Sequence, residues 1–267
     1  MRAELLGETP RLTLDARVHV ESIGGVVSQD LRGKVALVTG AARGLGLLVC
    51  RDLAREGMRV AGVDMRGELL AEEMAKLRSG SAEETLALTA DLANEAAVVA
   101  AVRQTVERFG RIDVLVNNAG IRQIAPVWKT DTAMWDRIHG ANLKGQFLCT
   151  REVLNQSMLG LGEGTLIFVS SGSGKKGEED SSAYCASKWG VIGFAESVAK
   201  DLKKTRIRVT VLTPGMIETP MAVESEAWDL GLDWLDPTYV SEAIVFCIKQ
   251  DPNTILPELR VYHRAQI

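Results

Sequence analysis

From Lys34 onward, hydrophobic residues occur in short, nearly continuous runs separated by longer amphipathic segments. The runs are "KVALVTG", "RVAGVD", "TLALTAD", "IDVLVNNAG", "GTLIFVSS" and "IRVTVLTPG", and "PELRVY" indicates a last short strand. Runs of this kind are typical of strands buried on both faces, as in a parallel sheet. The pattern therefore predicts a series of central strands.

The segments between these runs have helical periodicity. We predict helices over Leu45–Glu56, Glu68–Arg78, Asn94–Phe109, Met134–His139, Gly145–Met158, the stretch "SAYCASKWGVIGFAESVAKDLKK" and Tyr239–Lys249. Strict alternation of strands and helices predicts an α/β fold with a Rossmann-type, doubly wound parallel sheet. We expect one such domain over residues 34–267.

Residues 1–33 differ from the rest and form an N-terminal extension. Within them "RLTLDARVHVE" alternates apolar and polar positions, which predicts a strand or hairpin that ends at Gly24 and Gly25. The extension is either a loose tail or an arm for subunit contact or shielding, and the pattern does not decide between them.

Composition removes several classes of function. The chain has 267 residues and a net charge of −4, so it carries no basic footprint for nucleic acid. Its four cysteines and three histidines are scattered, which indicates neither a disulfide framework nor a metal site. We see no membrane-spanning apolar run and no signal peptide, so a reducing, cytoplasmic setting is the default expectation.

A glycine-rich loop, "TGAARGLG", lies between the first predicted strand and the first predicted helix. Gly40, Gly44 and Gly46 would permit a tight turn and the close approach of a pyrophosphate. The helix that follows offers free N–H groups and the positive end of its dipole. The loop therefore predicts a dinucleotide site, although glycine could serve its geometry alone.

Asp64 ends the second predicted strand, where the ribose of an adenosine would lie. A carboxylate there can accept hydrogen bonds from both ribose hydroxyls and would repel a 2′-phosphate, which favours NAD over NADP. Arg43 and Arg66 leave NADP open, because either side chain could approach a 2′-phosphate.

Two further strand ends carry candidate cofactor contacts. Asp91 and Leu92 follow the third strand, near the expected adenine ring, although Asp91 could instead cap a helix. "NNAG" ends the fourth strand, and Gly120 would let the backbone pass close to a ribose. We expect Asn117 to bridge neighbouring strands rather than touch a ligand.

Tyr184 and Lys188 lie four residues apart in "YCASK", so a helix would place them on one face. A nearby ammonium favours the phenolate and lowers the pKa of a tyrosine. A phenol shifted in this way could donate and accept protons near neutral pH. The spacing is common, so on this pattern alone a chance pairing of the two residues is the favoured interpretation.

In their order and spacing, these motifs resemble those of the short-chain dehydrogenase/reductase family from about Leu31 to Val245. The resemblance rests on TGAARGLG, the pair Asp91–Leu92, NNAG, Asn142 in "ANLKG", Ser170–Ser171, YCASK and "PGMIETPM". It implies a catalytic tetrad of Asn142, Ser171, Tyr184 and Lys188. Ser171 is preferred to Ser170, with Ser173 as the fallback.

The resemblance also implies roles for these residues. Tyr184 would exchange a proton with the substrate oxygen, Ser171 would hydrogen-bond that oxygen, and Lys188 would bind the nicotinamide ribose. Asn142 would hold a water in a proton relay, which requires a local helix distortion. Hydride would pass directly between the substrate and the nicotinamide, so no metal is needed.

Combining motifs and resemblance, we expect the cofactor to contact Gly40, Arg43, Gly44, Leu45, Gly46, Asp64, Asp91, Leu92, Asn118, Ala119, Gly120, Tyr184, Lys188, Pro214, Gly215, Ile217 and Thr219. Thr219 could instead cap a helix. The expected cofactor is NAD, with NADP as the alternative.

Substrate recognition is the least defined part of the prediction. The candidates are Gln123, Ser173 and Glu178 near strand ends and Trp228 in the lid between Met221 and Pro237. The C-terminus lacks the "DGG" ending of many family members, including typical 3-oxoacyl reductases, which puts a role in fatty-acid synthesis in doubt.

Three functions remain open at this point. We expect an NAD-linked dehydrogenase that acts on a secondary alcohol or ketone. The alternatives are an NADPH-dependent ketoreductase of a biosynthetic pathway and a non-catalytic dinucleotide-binding regulatory protein. The resemblance also implies a homo-oligomer, a tetramer or a dimer, in which Gly190, Gly193 and Ala195 would let another helix approach closely.

Overall fold

The computed structural model describes residues 28–80, 84–224 and 233–266. The strand or hairpin expected within residues 1–27 and the candidate residue Trp228 lie outside these ranges.

Within the described residues, seven parallel strands form one sheet in the order β3-β2-β1-β4-β5-β6-β7. The strands are β1 (Val35–Thr39), β2 (Arg59–Asp64), β3 (Thr85–Thr89), β4 (Val114–Asn117), β5 (Glu163–Val169), β6 (Arg206–Pro214) and β7 (Glu258–Val261). The predicted doubly wound parallel sheet is confirmed. Each of the seven apolar runs contributes one strand.

Helices connect the strands and cover both faces of the sheet. They are α1 (Gly44–Arg55), α2 (Gly67–Gly80), α3 (Glu95–Phe109), α4 (Thr132–His139), α5 (Gly145–Val153), α6 (Leu159–Leu161), α7 (Ser182–Asp201), α8 (Pro220–Val223) and α9 (Pro237–Lys249). π-helical turns over Gly140–Lys144 and Leu154–Met158 flank α5. The helix predicted over Gly145–Met158 is therefore interrupted.

The core has two layers, one on each face of the sheet. One layer contains the buried faces of α1, α2 and α9, and the other contains those of α3, α5 and α7. All five residues of β1 are buried, which explains why its sequence reads as a continuous apolar run. Leu31 is 2% exposed and belongs to the first layer, so the packed body begins before Lys34.

Within the described ranges, no helix is both long enough and apolar enough to cross a membrane.

Candidate active site

The carboxyl ends of β1, β4, β5 and β6 meet at one edge of the sheet. β1 pairs with β2 on one side and with β4 on the other, so the chain reverses its direction of winding between β1 and β4. Open α/β sheets bind ligands in the crevice outside such a point. Most of the site residues predicted from the sequence lie around this crevice.

The glycine loop is built by close backbone contacts. Gly40 and Gly44 have φ angles of 69° and 59°, in the left-handed region that favours glycine. A Cβ on Gly46 would overlap the carbonyl oxygen of Gly40, and one on Gly40 would lie 2.9 Å from the Cα of Ala119. The glycines thus bring α1 and the end of β4 against the loop.

The N-terminus of α1 is suited to an anion. Arg43 occupies the N-cap position without a capping hydrogen bond from its side chain, and the first turn contains no acidic residue. Leu45 is buried beneath this turn. The free N–H groups and the helix dipole therefore face the crevice without a negative side chain from the turn itself, as a pyrophosphate requires.

Asn118 joins the end of β4 to the end of β1. Its Nδ2 donates to the Thr39 carbonyl at 2.9 Å, and Thr39 Oγ1 accepts from the backbone N–H groups of Asn118 and Ala119 at 3.0 Å. The expectation that Asn117 bridges strands was wrong. Successive strand residues face opposite ways, and Asn117 donates to Thr150 of α5 at 3.0 Å instead.

Asp64, the last residue of β2, is held against the glycine loop. The residue is 6% exposed, and its carboxylate accepts from the backbone N–H groups of Ala42 at 3.1 Å and Arg66 at 3.0 Å. Arg66 Nη1 lies 3.4 Å from the same carboxylate. Arg43 pairs with Glu224 at the end of α8, with 2.8 Å between Nη2 and Oε2. Each arginine thus already faces a carboxylate.

Asp91 and Leu92 lie at the β3 end of the crevice. Asp91 is exposed and accepts from the N–H of Ala93 at 2.9 Å, which closes a turn. Asn94 caps α3 by accepting from Ala97 at 3.2 Å, so the helix-cap alternative for Asp91 was wrong. Leu92 is buried beneath the turn.

The segment after β6 lies opposite the glycine loop and faces it. Pro214 ends β6, Gly215 donates to the Val261 carbonyl at 2.8 Å, and Ile217 pairs with Leu235. Thr219 occupies the N-cap position of α8 but makes no capping hydrogen bond with its side chain. A Cβ on Gly44 would lie 3.4 Å from Cδ of Pro220, the residue after Thr219, so the two segments face each other closely.

Lys188 and Asn142 converge on Gly120. A Cβ on Gly120 would lie 3.1 Å from Asn142 Oδ1 and 3.5 Å from Lys188 Nζ. Lys188 is 4% exposed, and its Nζ donates to the carbonyl of Val169 at the end of β5 at 3.0 Å. Burial lowers the pKa of Lys188 to about 8.

Asn142 lies in the π-helical turn Gly140–Lys144, so the expected helix distortion is present. Its Oδ1 accepts from the N–H of Ile121 at 2.7 Å, while its Nδ2 donates to the Ile121 carbonyl and to Ser187 Oγ at 3.0 Å. The amide thereby fixes the chain that follows "NNAG" against α7.

Tyr184 lies on the same face of α7 as Lys188, with the ammonium 5.7 Å from the ring centroid. Burial raises the pKa of Tyr184, while a hydrogen bond with Ser171 and the charge of Arg122 act in the opposite direction. The expected net lowering of this pKa was therefore wrong. The phenol is buried, and the ammonium donates to Val169.

The three candidate serines have different environments. Ser170 is buried and donates to the Lys188 carbonyl at 2.9 Å, so its hydroxyl stabilises the fold. Ser171 accepts from the Ser173 N–H at 3.2 Å and lies within hydrogen-bonding reach of the Tyr184 phenol. Ser173 is 4% exposed. This arrangement favours Ser171 as the residue that faces a substrate.

The substrate candidates separate into two places. Gln123 is exposed and accepts from Arg137 Nη2 at 3.3 Å, whereas Glu178 faces Arg122, with 3.5 Å between its Oε2 and Nη2 of the arginine. Sequence reasoning missed Arg122, whose Cζ lies 5.7 Å from the centroid of the Tyr184 ring. Its signal was a charged residue two positions after "NNAG", at the carboxyl edge of the sheet.

The described residues contain no group of three or more His, Cys, Asp or Glu side chains arranged to hold a metal. All four cysteines are buried and free, and burial raises the pKa of Cys50 and Cys149 to about 12.

Comparison with known proteins agrees with this geometry. A family model described as short chain dehydrogenase matches residues 34–230. Cyclopentanol dehydrogenase of a Comamonas species is 38% identical over 232 residues, covering 83% of this chain and 92% of that protein. A 2-dehydro-3-deoxy-L-rhamnonate dehydrogenase (NAD(+)) of a Sphingomonas species is 37% identical over 190 residues, covering 71% of this chain and 74% of that protein.

A crystal structure of an actinorhodin polyketide ketoreductase with NADPH superposes with a TM-score of 0.80 at 31% identity, covering 88% of this chain and 97% of that one. Sequence and fold therefore agree over most of the chain. The protein belongs to the short-chain dehydrogenase/reductase family and is an oxidoreductase that acts on a CH–OH or carbonyl group with a nicotinamide cofactor.

Proposed function

We propose that this protein is an NAD-linked dehydrogenase that interconverts a secondary alcohol and a ketone. The observation that carries the proposal is the convergence of Tyr184, Ser171, Lys188 and Asn142 at the end of β4 and β5, beside Gly120. These groups supply a proton donor, a hydrogen bond to the substrate oxygen and a buried cation in one place.

In this proposal the bound nicotinamide supplies or accepts the hydride. Tyr184 takes the proton of the alcohol hydroxyl during oxidation and returns a proton to the carbonyl oxygen during reduction. Ser171 donates a hydrogen bond to the same oxygen and stabilises the charge that develops there. Because Ser171 also contacts the phenol, one substrate oxygen can lie against both hydroxyl groups.

Lys188 and Asn142 support the reacting groups. The Lys188 ammonium donates one of its three N–H groups to the Val169 carbonyl. The other two can face the nicotinamide ribose and the phenol. Asn142 uses its amide on Ile121 and Ser187. Its contribution in this proposal is to hold the Gly120–Ile121 backbone at the cofactor and to position a relaying water.

The residues of the crevice fit a dinucleotide. The uncapped start of α1 suits the pyrophosphate, and a side chain on Gly46 would collide with the Gly40 carbonyl and displace the glycine loop. NAD is favoured because the Asp64 carboxylate lies at the expected ribose position and both nearby arginines already face carboxylates. The NAD(+) in the name of the Sphingomonas relative supports the same preference.

The second candidate is an NADPH-dependent ketoreductase. Arg43 lies in the glycine loop, and a change of partner from Glu224 to a 2′-phosphate would give NADPH a binding group. The NADPH in the structure of the polyketide ketoreductase favours this alternative.

The test is the change in nicotinamide absorbance on the purified protein. NAD and NADP are offered separately with secondary alcohols, and NADH and NADPH with ketones, together with binding titrations of all four nucleotides. We expect turnover and tight binding with NAD and NADH. Preference for NADP and NADPH would move the ketoreductase to first place.

Two results would contradict the proposal more broadly. Failure of all four nucleotides to bind would reject the dinucleotide site. Binding without turnover of any alcohol or ketone in a wide panel would favour the non-catalytic alternative.

We also propose a homo-oligomer formed through α4, α5 and α7. A groove of about 690 Å³ lies on this surface and is lined by Leu143, Phe147 and Phe194 among others. Trp189 is 52% exposed on the same helix as Tyr184.

Of the three small residues expected to admit another helix, Gly193 is open, whereas Gly190 is packed against Leu143 and Ala195 is buried.

A further inference from the structure

Arg122 is held in place between two loops at the mouth of the site. The residue before it, Ile121, has both backbone polar groups bound by Asn142. Three residues further on, Ala125 donates to the Asp180 carbonyl at 2.8 Å, which ties this loop to the one that follows Ser171. The backbone on both sides of Arg122 is therefore fixed.

The guanidinium of Arg122 lies beside the proposed proton donor. Its Cζ is 5.7 Å from the centroid of the Tyr184 ring, and its side chain is only 21% exposed. The nearest carboxylate is that of Glu178, at 3.5 Å. A charge-assisted hydrogen bond is about 2.7–2.9 Å long, so this pair is a loose one.

The arginine also has unused hydrogen-bonding capacity. Its Nε is buried and has no partner, and within the described part of the chain we find no hydrogen bond donated by its side chain. A buried donor left without an acceptor is costly. A loose ion pair contributes little to stability, so pairing with Glu178 does not account for placing a guanidinium here.

We propose that Arg122 binds an acidic substituent of the substrate, so that the enzyme acts on a hydroxy acid or the corresponding keto acid. The planar fork of a guanidinium matches an oxyanion through two parallel hydrogen bonds, whether a carboxylate or a phosphate supplies it. Glu178 then competes with the substrate for the arginine. This inference rests on the dehydrogenase function proposed above and adds the substrate class.

Removing the charge of Glu178 should have the opposite effect to removing that of Arg122. Its carboxylate occupies Arg122 loosely and also repels an incoming anion. Glu178→Gln should therefore improve the use of acidic substrates, whereas Arg122→Met should impair it. A purely structural ion pair would give losses in both variants.

The experiment measures kcat/KM for matched pairs of compounds with the same carbon skeleton. Each pair consists of a short hydroxy or keto acid and its uncharged methyl ester or amide, and a second set replaces the carboxylate with a phosphate. The variants are Arg122→Met, Arg122→Lys and Glu178→Gln. Arg103→Met is the matched control, because Arg103 is exposed on α3 and pairs with Glu107 within its own helix.

We expect the wild type to prefer the charged member of a pair. Arg122→Met should lower kcat/KM for that member on the order of 100-fold more than for its uncharged partner. The smaller loss for the uncharged partner reports the effect of the arginine charge on Tyr184. Arg122→Lys should fall between, because it keeps the charge and loses the fork. Glu178→Gln should raise the preference, and Arg103→Met should leave it unchanged. The compound set that shows the stronger preference for its charged member identifies whether Arg122 binds a carboxylate or a phosphate.

Other results would overturn the inference and can be separated from failure of the dehydrogenase function. Equal or better use of the uncharged members, or an acid preference that survives Arg122→Met, rejects the substrate class while the dehydrogenase stands. Bound NAD with no turnover of any acid in the sets also rejects the class. Absence of dinucleotide binding rejects the dehydrogenase itself.

Discussion

At the residue scale, Lys188 is the clearest case in which burial opposes charge. The residue is 4% exposed, and its ammonium donates to one carbonyl, that of Val169. Burial disfavours the charged form, which lowers its pKa from 10.5 to about 8. The unfolded chain therefore binds more protons than the folded protein between these two pH values.

The stability of the protein should record this difference. Relative to Lys188→Met, the free energy of unfolding of the wild type should rise with pH between about 8 and about 10.5, by up to about 1.4 kcal/mol per pH unit. Below about pH 8 the destabilising effect of burying the charge is fully present. Urea unfolding at about pH 7 and about pH 9.5 measures the difference.

Lys200→Met provides the control for the Lys188 experiment, since Lys200 is exposed on the same helix. A pH-dependent difference that Lys200→Met reproduced would not come from burial of the Lys188 ammonium. A difference between wild type and Lys188→Met that stays constant from neutral to alkaline pH would contradict the lowered pKa.

The sequence predicted which residues of α7 face the site but not their electrostatics. Tyr184 and Lys188 are one helical turn apart, and that relation is local. The direction of the pKa shift of Tyr184 depends on burial by distant segments, and Arg122 reaches the ring from a loop that follows β4. No local pattern reports a contact between segments so far apart in the chain.

At the scale of elements, strands were predicted better than interruptions in helices. A parallel strand buried on both faces, such as β1, is visible as an apolar run. The π-helical turn at Gly140–Lys144 has no comparable signature, because one extra residue in a turn changes the helical period only locally. The distortion was expected only because Asn142 matches a tetrad residue of the short-chain dehydrogenase/reductase family.

The C-terminal segment contains a contact that sequence reasoning did not anticipate. Gln266 Oε1 accepts from the N–H of Met216 at 3.1 Å. Its Nε2 donates to the carbonyls of Met216 at 3.1 Å and Asp233 at 2.7 Å. A Cβ on Gly215 would overlap this side chain, so the amide is fitted closely to the segment after β6.

Gln266→Ala should loosen that segment. Loss of these hydrogen bonds should lower the free energy of unfolding by about 1–3 kcal/mol and raise the KM for substrate more than it changes kcat. Urea unfolding and steady-state kinetics measure the two effects. Gln104→Ala, at an exposed position on α3, is the control. Unchanged stability and KM in Gln266→Ala would show that the contact does not hold the segment.

At the scale of the whole molecule, the described parts of the site lie along the carboxyl edge of one sheet, on its strand ends and on the helices packed against them. The sequence predicted this arrangement because alternating strands and helices admit few topologies. The N-terminal extension remains a prediction, since residues 1–27 lie outside the described ranges. The assembly also remains a proposal, which rests on the apolar groove lined by Leu143, Phe147 and Phe194.

The proposed interface can be tested by charge. Phe147 is 39% exposed and lines the groove between α5 and α7. Phe147→Asp would place a carboxylate in a buried contact between subunits and should shift the protein to a smaller species in light scattering. Leu69→Asp, at an exposed apolar position on α2, should not. A wild-type protein that is monomeric at working concentration would contradict the proposal.

The most direct test of the central claim is Tyr184→Phe. This change removes the phenolic hydroxyl and keeps the ring that packs beside Arg122 and Lys188. The affinity for NAD, measured by titration, should stay close to that of the wild type. Turnover of the best alcohol or ketone, followed by nicotinamide absorbance, should fall on the order of 100- to 10,000-fold. Wild-type turnover in Tyr184→Phe would contradict the assignment of Tyr184 as the proton donor.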